Sequence, residues 1–384
     1  MTRSVVIVPG GIGGTGGLSI DVANLAAALA ERSWDVTLAA PDASDAAFAA
    51  LRTVRFARVR PMLRGDRAAA LGLFRDVRRV IRERDGAAVH VFGSMPSYLT
   101  FAALAAGRAE GRVVVWTPMF HPLRGRVWRT RWAYSPMLLF DRLVPYLGRL
   151  ATTVGAATEA EAAAFERAGC RRVVLLPPAV AAKPIAATAE ALAFRRSLNL
   201  DGDPAVLVVA SRDEPRKGLP FAFAAFEQVR ERIPHAKLVL VGLSLEPSLT
   251  PAGVMSVGRV PDCMLSTAIR AANVVFVPSL FEAFSRIVIE AWEQARPAVV
   301  TDGVAMAPRV AAAGGEVVGF GDVAAATKAL AAYLDTDWKR ATGQRGRKFV
   351  EDEYAVAKVV DDAIATYSAR PAVRRPPAVA RVAG

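Results

Sequence analysis

The chain has 384 residues, of which 53% are hydrophobic and 22% are charged. That length exceeds what a single hydrophobic core usually accommodates, so the sequence predicts two domains of ordinary size. The composition excludes a disordered chain, and no apolar run approaches the roughly 18 residues of a membrane span. The two cysteines lie far apart without metal-ligand spacing, which argues against a disulfide framework or a zinc site.

The formal net charge is +13 at pH 7, and the excess lies in the first half of the chain. Residues 1–177 contain 24 arginines and no lysine against 14 acidic residues, whereas the remainder contains 25 basic and 22 acidic residues. A basic surface of this kind favours an anionic membrane, a phosphate-bearing substrate or nucleic acid. We expect a cytosolic protein, because the opening strand SVVIVP is too short and wrongly flanked for a signal peptide.

The first predicted elements are a strand, a glycine-rich loop and a helix. Ser4 to Val8 is apolar, the loop GGIGGTGG follows, and an apolar stripe at helical spacing comes next. Nucleotide-binding α/β domains open in this order, and the glycines, including Gly13, Gly14 and Gly16, allow the backbone to approach another molecule closely. A flexible surface turn is the alternative interpretation. A dinucleotide site would also need an acid closing the second strand, but the nearest one, Asp42, lies beyond that strand.

Strands and helices continue to alternate, which predicts a parallel sheet with helices on both faces. Ligands of such sheets bind at the carboxyl ends of the strands. The predicted strands are Val54 to Val59, Ala87 to Phe92, Val113 to Trp116, Thr152 to Gly155 and Arg172 to Leu176, with helices at Ala68 to Arg84 and Pro96 to Ala106.

The three histidines occupy different kinds of position. His90 lies inside the strand AAVHVF, so we expect a buried, hydrogen-bonded core residue. His121 comes just after a strand end, in TPMFHP, where side chains can reach a ligand, and it is the candidate functional histidine. His235, in the turn IPHAKL, is expected to face solvent.

The segment from Arg124 to Arg149 interleaves six arginines with five aromatic residues. Such a mixture suits a bilayer interface, where aromatic rings lie at headgroup depth and arginines contact lipid phosphate. It also suits single-stranded nucleic acid. An ordinary amphipathic helix with a solvated arginine face is an equal alternative.

Two prolines, Pro177 and Pro178, followed by an alanine-rich stretch, mark the predicted domain boundary. We predict an N-terminal domain over residues 1–178 and a second α/β domain over residues 190–350. A C-terminal helix at 351–369 is expected to return to the N-terminal domain. Residues 370–384 are proline-rich and lack acids, which predicts a disordered tail.

A basic loop, SRDEPRKG, follows the first strand of the second half, Ala205 to Ala210. Arg212 and Lys217 bracket it, so two cations lie at the carboxyl end of a strand and beside the start of the next helix. This arrangement favours a phosphate ligand. Exposed lysines and arginines are often only solvated, which is the alternative. The glutamates farther along the chain favour a phosphate site.

The stretch Val274 to Thr301 predicts a strand, a loop, a helix and a second strand. Glu282 falls in the loop and Glu290 on the helix, which would separate them by about 12 Å along the axis if both were helical. They could therefore hold two ends of one elongated ligand. The helix start near Phe284 and Ser285 provides free amides and a positive dipole end between them, which suits phosphate. A helix cap and a solvated surface residue are the alternative roles for these glutamates.

These segments resemble the family 4 glycosyltransferases, which are retaining enzymes of the two-domain type B fold that use nucleotide sugars. The resemblance rests on PSLFEAF and IVIEAW, together with ASRDEPRKG and TPMFHP. It implies that Glu290 binds the ribose, that Glu282 binds the sugar hydroxyls, and that Arg212 and Lys217 neutralise the diphosphate. It also implies that His121 lines the reacting face and that the glycine loop faces the interdomain cleft.

Three features depart from the family pattern. Ser285 stands where the family usually has glycine, and Arg296 stands where a glycine usually closes the motif helix. A non-glycine residue in the left-handed conformation at that closing position costs about 1 kcal/mol. In the third departure, the glycine-rich turn expected after the strand Ala298 to Thr301 is here DGVAMAP, and only 14 residues separate Gly242 from Val257, which leaves little room for the usual intervening helix.

The sequence thus predicts two Rossmann-like α/β domains facing each other across a cleft, with a nucleotide sugar bound by the C-terminal domain and an acceptor by the N-terminal domain. No cofactor and no metal are expected, because two cations can stabilise the leaving diphosphate. The expected acceptor is a membrane lipid or lipid-linked glycan at the inner face of the cell membrane, and nucleic acid is not an expected partner. A nucleotide-sugar epimerase of similar build and a non-enzymatic membrane-binding or nucleic-acid-binding protein are the alternative hypotheses.

Overall fold

The computed structural model describes residues 3–10, 17–41, 51–60, 67–93, 97–120, 142–180, 183–200, 202–210, 214–246, 248, 250–335 and 338–368. Most of the arginine-rich segment and the tail after residue 368 lie outside these ranges. So do five candidate site residues: Gly13, Gly14, Gly16, His121 and Arg212.

The first half of the chain forms a seven-stranded parallel sheet with the order β3-β2-β1-β4-β5-β6-β7. The strands are β1 (Ser4–Pro9), β2 (Asp35–Ala40), β3 (Arg55–Arg58), β4 (Ala88–Phe92), β5 (Val114–Thr117), β6 (Thr153–Ala156) and β7 (Val173–Leu175). The helices are α1 (Gly17–Glu31), α2 (Arg67–Arg82), α3 (Tyr98–Ala109) and α4 (Glu159–Arg167), and residues 142–147 add a short helix. The central strands of this sheet are largely apolar and buried, as expected for a parallel sheet between two helical layers.

The second half forms a six-stranded parallel sheet with the order β10-β9-β8-β11-β12-β13. The strands are β8 (Ala205–Val209), β9 (Lys237–Val241), β10 (Val254–Gly258), β11 (Val274–Val277), β12 (Ala298–Thr301) and β13 (Glu316–Val318). The helices are α5 (Thr188–Ser197), α6 (Leu219–Arg232), α7 (Asp262–Ala271), α8 (Arg286–Glu293), α9 (Ala307–Ala312), α10 (Val323–Asp335), α11 (Trp338–Glu353) and α12 (Val356–Tyr367). The fold is α/β with two sheets, as the sequence predicts.

The last helix, α12, leaves the second sheet and packs against the first. Val359, Val360 and Ala363 share an apolar core with α1 and the first sheet. Tyr367 adds a polar contact, because its hydroxyl lies 2.7 Å from Nδ1 of His90, a fully buried residue of β4. The other ring nitrogen of His90 lies 2.8 Å from Thr117 Oγ1, so the prediction of a hydrogen-bonded core histidine is confirmed.

The structure corrects one local expectation in the motif helix. The residue in the left-handed conformation after α8 is Ala295, with φ 51°, and not Arg296. The Arg296 amide instead closes the helix end by donating to Ala291 O at 2.8 Å. Gly343 of α11 permits the resulting close contact, since a Cβ there would lie 2.1 Å from Ala295 O.

No helix in the described part of the chain combines the length and the apolar character needed to cross a bilayer. Between β9 and β10, the described residues form no α-helix, as the short spacing predicts. The exact domain limits stay predictions.

Candidate active site

The connections at the carboxyl edge of the second sheet bring together residues that are far apart in the sequence. β8 lies between β9 and β11, so the chain crosses outward on one side of β8 and returns to the other side at β11. A crevice forms where the strand order reverses in this way, and open parallel sheets bind their ligands there. Lys217 follows β8, and Glu282 follows β11.

Lys217 and Glu282 form a close ion pair in this crevice. Lys217 Nζ donates to Glu282 Oε1 at 2.6 Å, and the Ser279 hydroxyl donates to the same oxygen at 2.9 Å. The Glu282 side chain is only 9% exposed. The pair therefore places a cation and a carboxylate, which accepts two hydrogen bonds, at the edge of the sheet. The two groups come from two different loops.

Backbone contacts fix these loops against each other. The Leu280 amide donates to Arg216 O at 2.7 Å, which ties the loop after β11 to the loop after β8. Gly218 adopts φ 66°, and a Cβ there would lie 2.0 Å from Pro278 O, so only glycine allows this close approach. The loops are thus held by contacts that do not depend on a ligand.

Backbone hydrogen bonds to the loop after β12 also hold Glu282. Its amide donates to Gly303 O at 3.2 Å, and its carbonyl accepts from the Ala305 amide at 2.9 Å. The connection after β12, where the sequence DGVAMAP departs from the glycine-rich family pattern, therefore supports Glu282 through main-chain bonds.

The motif helix α8 begins at Arg286, with Ser285 at the N-cap position. Ser285 is almost fully buried, and its hydroxyl has no hydrogen-bond partner among the described residues. The Phe284 ring points into the core, with its centroid 5.9 Å from that of Tyr354. Phe284 and Ser285 thus lie at the helix start where the sequence predicts a phosphate, and their contacts with a ligand stay a prediction.

Glu290 lies on α8, is 8% exposed and is paired with a cation from the connection between the two sheets. Lys183 Nζ donates to Glu290 Oε1 at 3.3 Å, and Arg286 Nη2 lies 3.9 Å from the same oxygen. The Lys183 amide also donates to Glu293 Oε1 at 3.3 Å. Glu290 is consequently oriented by its neighbours, with Lys183 and Arg286 both at Oε1.

An ion pair joins α8 to the first sheet's side of the cleft. Arg286 Nη1 donates to Oδ1 of Asp21, which belongs to α1 and is 3% exposed. The second carboxylate oxygen of Asp21 is buried without a partner among the described residues. Burial raises the pKa of Asp21 to about 7, the Arg286 guanidinium opposes this shift, and the nearby Glu290 carboxylate adds to it.

The segment that leads to His121 is held by a buried acid. Glu161 accepts from the Phe120 amide at 2.5 Å and from the Ala157 amide at 2.7 Å. Met119, one residue earlier, adopts φ 56°. Burial raises the pKa of Glu161 to about 8, while the two amides act in the opposite direction. Phe120, directly before His121, is therefore fixed, whereas the role of His121 itself stays a prediction.

Sequence reasoning named Lys217, Glu282 and Glu290, and the structure places all three at the carboxyl side of the second sheet. The sequence did not indicate Lys183, Arg286 or Asp21 as site residues. Two signals were available: Lys183 is a lone cation in an alanine-rich connection, and Arg286 interrupts the apolar motif helix. The partner of Arg286 on α1 lies 265 positions away, and no local pattern indicates it.

Comparison with known families identifies the chain. A family model described as Glycosyltransferase Family 4 matches residues 15–183, and one described as Glycosyl transferases group 1 matches residues 191–349. The chain belongs to glycosyltransferase family 4. The resemblance to this family, which the glutamate motif and the basic loop indicate, is therefore confirmed.

Curated relatives of this family member match over part of their length. A phosphatidyl-myo-inositol mannosyltransferase of Mycolicibacterium smegmatis is 34% identical over 155 residues, covering 37% of this chain and 40% of the relative. A D-inositol 3-phosphate glycosyltransferase of Segniliparus rotundus is 31% identical over 120 residues, covering 28% and 27%. The chain thus spans well under half the length of these relatives.

Solved structures match along almost the whole family 4 chain and show its fold. Sucrose-phosphate synthase from Thermosynechococcus elongatus superposes with a TM-score of 0.74 at 20% identity, covering 94% of this chain and 98% of the other. Anabaena Alr3699/HepE, solved with UDP-glucose, gives 0.73 at 17% identity and covers 94% and 99%. WaaG, a glycosyltransferase involved in lipopolysaccharide biosynthesis, gives 0.69 at 16% identity and covers 95% and 100%. The two-domain type B fold is thereby confirmed.

Proposed function

We propose that this protein transfers a sugar from a nucleotide-sugar donor to an acceptor. The observation that carries the proposal is the Lys217–Glu282 ion pair, built from two loops at the switch point of the second sheet, with Glu290 on the helix that follows. Family membership supports the reaction class, and the relatives named above include a phosphatidyl-myo-inositol mannosyltransferase.

Each of these residues has a proposed part in holding the donor. Glu290 binds the ribose hydroxyls, because a carboxylate is a stronger acceptor for a diol than a neutral oxygen is. Lys217, with Arg212, binds the diphosphate, aided by the free amides and dipole at the start of α8. Glu282 binds hydroxyls of the transferred sugar.

The chemistry is mainly stabilisation of the leaving group. As the glycosidic bond breaks, negative charge develops on the diphosphate, and fixed cations that face this charge lower the barrier. The Glu282 carboxylate fixes the Lys217 ammonium group at the edge of the sheet, where it would face the diphosphate. We propose that no metal is needed, and retention of configuration is what the family implies.

The proposed acceptor is a membrane lipid or lipid-linked glycan, reached by reversible binding to an anionic membrane. On one face of the first sheet, α2, α3 and residues 142–149 form what we call the basic-aromatic face. It exposes Tyr98, Phe101, Leu143 and Tyr146, each by more than half. The Arg149 guanidinium lies 5.0 Å from the centre of the Tyr146 ring. Exposed rings beside arginines are the combination that binds at a lipid headgroup layer.

The donor assignment is tested by thermal stabilisation. We expect one nucleotide sugar from a panel of UDP, GDP and ADP sugars to raise the melting temperature, because a ligand that binds only the folded state stabilises it. The free nucleoside diphosphate of that base should also stabilise the protein, and the Glu290→Gln variant should lose most of the shift. A panel without any stabilising nucleotide would contradict the proposed function.

The membrane assignment is tested by sedimentation with liposomes that contain acidic phospholipid. The protein should sediment at low salt and be released by added salt, since the attraction is screened over about 10 Å. A Phe101→Ser/Tyr146→Ser variant should bind less, whereas Met264→Ser, which changes an exposed apolar residue of the other half, should bind normally. Protein that stays in the supernatant at low salt would indicate an acceptor free in solution.

A further inference from the structure

The connection between the two sheets, at residues 183–187, lies against the motif helix α8. Three side chains at the carboxyl end of this helix face the connection, and their spacing places them on one side of the helix: Glu290, Glu293 and Gln294. Each of the three is at most 8% exposed. Polar side chains buried to this extent need hydrogen-bond partners, and the connection supplies them.

Main-chain hydrogen bonds attach the connection to α8. The Lys183 amide donates to Glu293 Oε1 at 3.3 Å, and the Ala186 amide donates to Gln294 Oε1 at 2.8 Å. Gln294 Nε2 in turn donates to Pro184 O at 3.1 Å. Because these bonds use only the backbone of the connection, its attachment to the helix does not require the Lys183 side chain.

The Lys183 side chain makes a separate contact, with Glu290. A lysine in a surface connection usually extends its charge into water, whereas the Lys183 ammonium group donates to Glu290 Oε1 at 3.3 Å and the side chain is 24% exposed. Arg286 Nη2 lies 3.9 Å from the same oxygen. Among the described residues, none donates to the other oxygen, Oε2. The carboxylate is thus held at one oxygen, and the second oxygen is available to a ligand.

Negative charge is concentrated around Glu290. Glu293 lies one turn farther along α8, and Asp21 of α1 pairs with Arg286. Burial raises the pKa of Glu293 to about 7, Lys183 opposes this shift, and the Glu290 carboxylate adds to it. The Lys183 ammonium group therefore offsets charge that would otherwise favour proton uptake by this cluster, and a protonated carboxyl group is a weaker acceptor.

A ribose would present two neighbouring hydroxyl groups to Glu290. One carboxylate can accept from both hydroxyl groups only when its plane is held at a suitable angle. A 2′-deoxyribose lacks one of the two donors, and a site built to bind a hydroxyl group rejects the analogue without it. The ratio of the two affinities therefore measures how well Glu290 is oriented and charged.

We propose that Lys183 is a positioning residue of the donor site, which holds Oε1 of Glu290 so that the site selects a ribonucleotide over its 2′-deoxy form. The inference rests on the proposed function, which assigns Glu290 to the ribose. It adds that the connection between the two sheets contributes to the specificity of the site. Lys183 acts on the nucleotide only through Glu290, so its loss should change discrimination between the two sugars.

Calorimetric titration with a ribonucleoside diphosphate and its 2′-deoxy form tests the proposal. UDP, GDP and ADP are titrated first, and the one that binds most tightly is compared with dUDP, dGDP or dADP accordingly. Lys183→Met removes the charge and keeps the length of the side chain, whereas Lys183→Arg keeps the charge. Lys358→Met is the matched control, because Lys358 lies on α12 and pairs with the exposed Asp362.

We expect the wild type to bind the ribonucleotide about tenfold more tightly than the 2′-deoxy form, since one hydrogen bond to a charged group is lost. Lys183→Met should reduce this ratio to about threefold or less, whereas Lys183→Arg and Lys358→Met should keep it. Lys183→Gln also lacks the charge and should reduce the ratio in the same way. It replaces Lys183→Met if that variant does not fold.

An unchanged ratio in the variants without the charge would overturn the proposal and show that Lys183 only anchors the connection. Equal binding of both forms by the wild type would overturn it too, because Glu290 would then not recognise the ribose diol. If none of the three ribonucleoside diphosphates binds, the proposed function itself is contradicted, and this inference with it.

Discussion

At the scale of single residues, the two motif glutamates share one feature: each is paired with a lysine. Glu282 is bonded to Lys217, and Glu290 to Lys183, and both carboxylates are nearly buried. The sequence identified the glutamates and one lysine from their positions at predicted strand and helix ends. It could not identify the Lys183 contact, because that pair joins the connection between the sheets to a helix 107 positions later.

Glu290→Gln should weaken nucleotide-sugar binding by about tenfold or more. The amide keeps the size of the side chain but loses the charge-assisted hydrogen bonds to the ribose hydroxyls, worth about 1.5 to 3 kcal/mol. Calorimetric titration with the stabilising donor measures the change. Glu227→Gln, which changes an exposed glutamate of α6, is the control and should bind normally. Unchanged affinity in Glu290→Gln would remove this residue from the site.

At the scale of elements, the alternation of strands and helices was readable because parallel strands buried on both faces are continuously apolar. The ends of the helices could be predicted less well from the sequence. Helix α8 begins at Arg286, two residues after the predicted start, because Ser285 adopts an extended backbone at the N-cap. The docking of α12 depends on contacts between Tyr367 and His90, 277 positions apart, which no periodicity in the sequence records.

The docking of α12 should make stability fall in mild acid. Burial lowers the pKa of His90 to about 3, so the residue stays neutral in the folded protein, whereas an unfolded histidine gains a proton below about pH 6.5. This contribution is fully present above pH 6.5 and is lost as pH falls, by about 2 kcal/mol between pH 7 and pH 5.

Chemical denaturation at the two pH values measures this loss in the wild type and in His90→Gln. The variant should lack the part of the pH dependence that His90 supplies, and His235→Gln, which changes an exposed histidine, should retain it. If His90→Gln and the wild type lose the same stability between pH 7 and pH 5, His90 does not hold the neutral form that its burial requires.

At the scale of the whole molecule, two ion pairs among the described residues connect the layers on either side of the cleft. Arg286 of α8 meets Asp21 of α1, and Arg309 of α9 meets Glu159 of α4 at 2.6 Å. The first pair is the more buried, and it lies on the helix that carries Glu290. These contacts between the two halves therefore involve charges that neither half of the sequence reveals by itself.

Asp21→Ala should lower the melting temperature, and adding Arg286→Ala should restore part of the loss. Removing one partner of a buried pair leaves the other charge uncompensated, at a cost of about 3 kcal/mol, whereas removing both does not. The measurement belongs at pH 8, above the raised pKa of Asp21, where its carboxylate is charged. Asp361→Ala, in the exposed pair with Arg32, should change little. A double variant no more stable than Asp21→Ala would contradict this account.

Acceptor-dependent release of nucleotide from the stabilising donor tests the central claim most directly. The wild type should release nucleotide only when acceptor is present, and Lys217→Ala should lower kcat by about tenfold or more, with a smaller effect on stability, because it removes a charged contact to the leaving diphosphate. Lys237→Ala, on β9 and paired with Asp203, should keep normal turnover. Release that ignores the acceptor, or a near-normal kcat in Lys217→Ala, would contradict sugar transfer at this site.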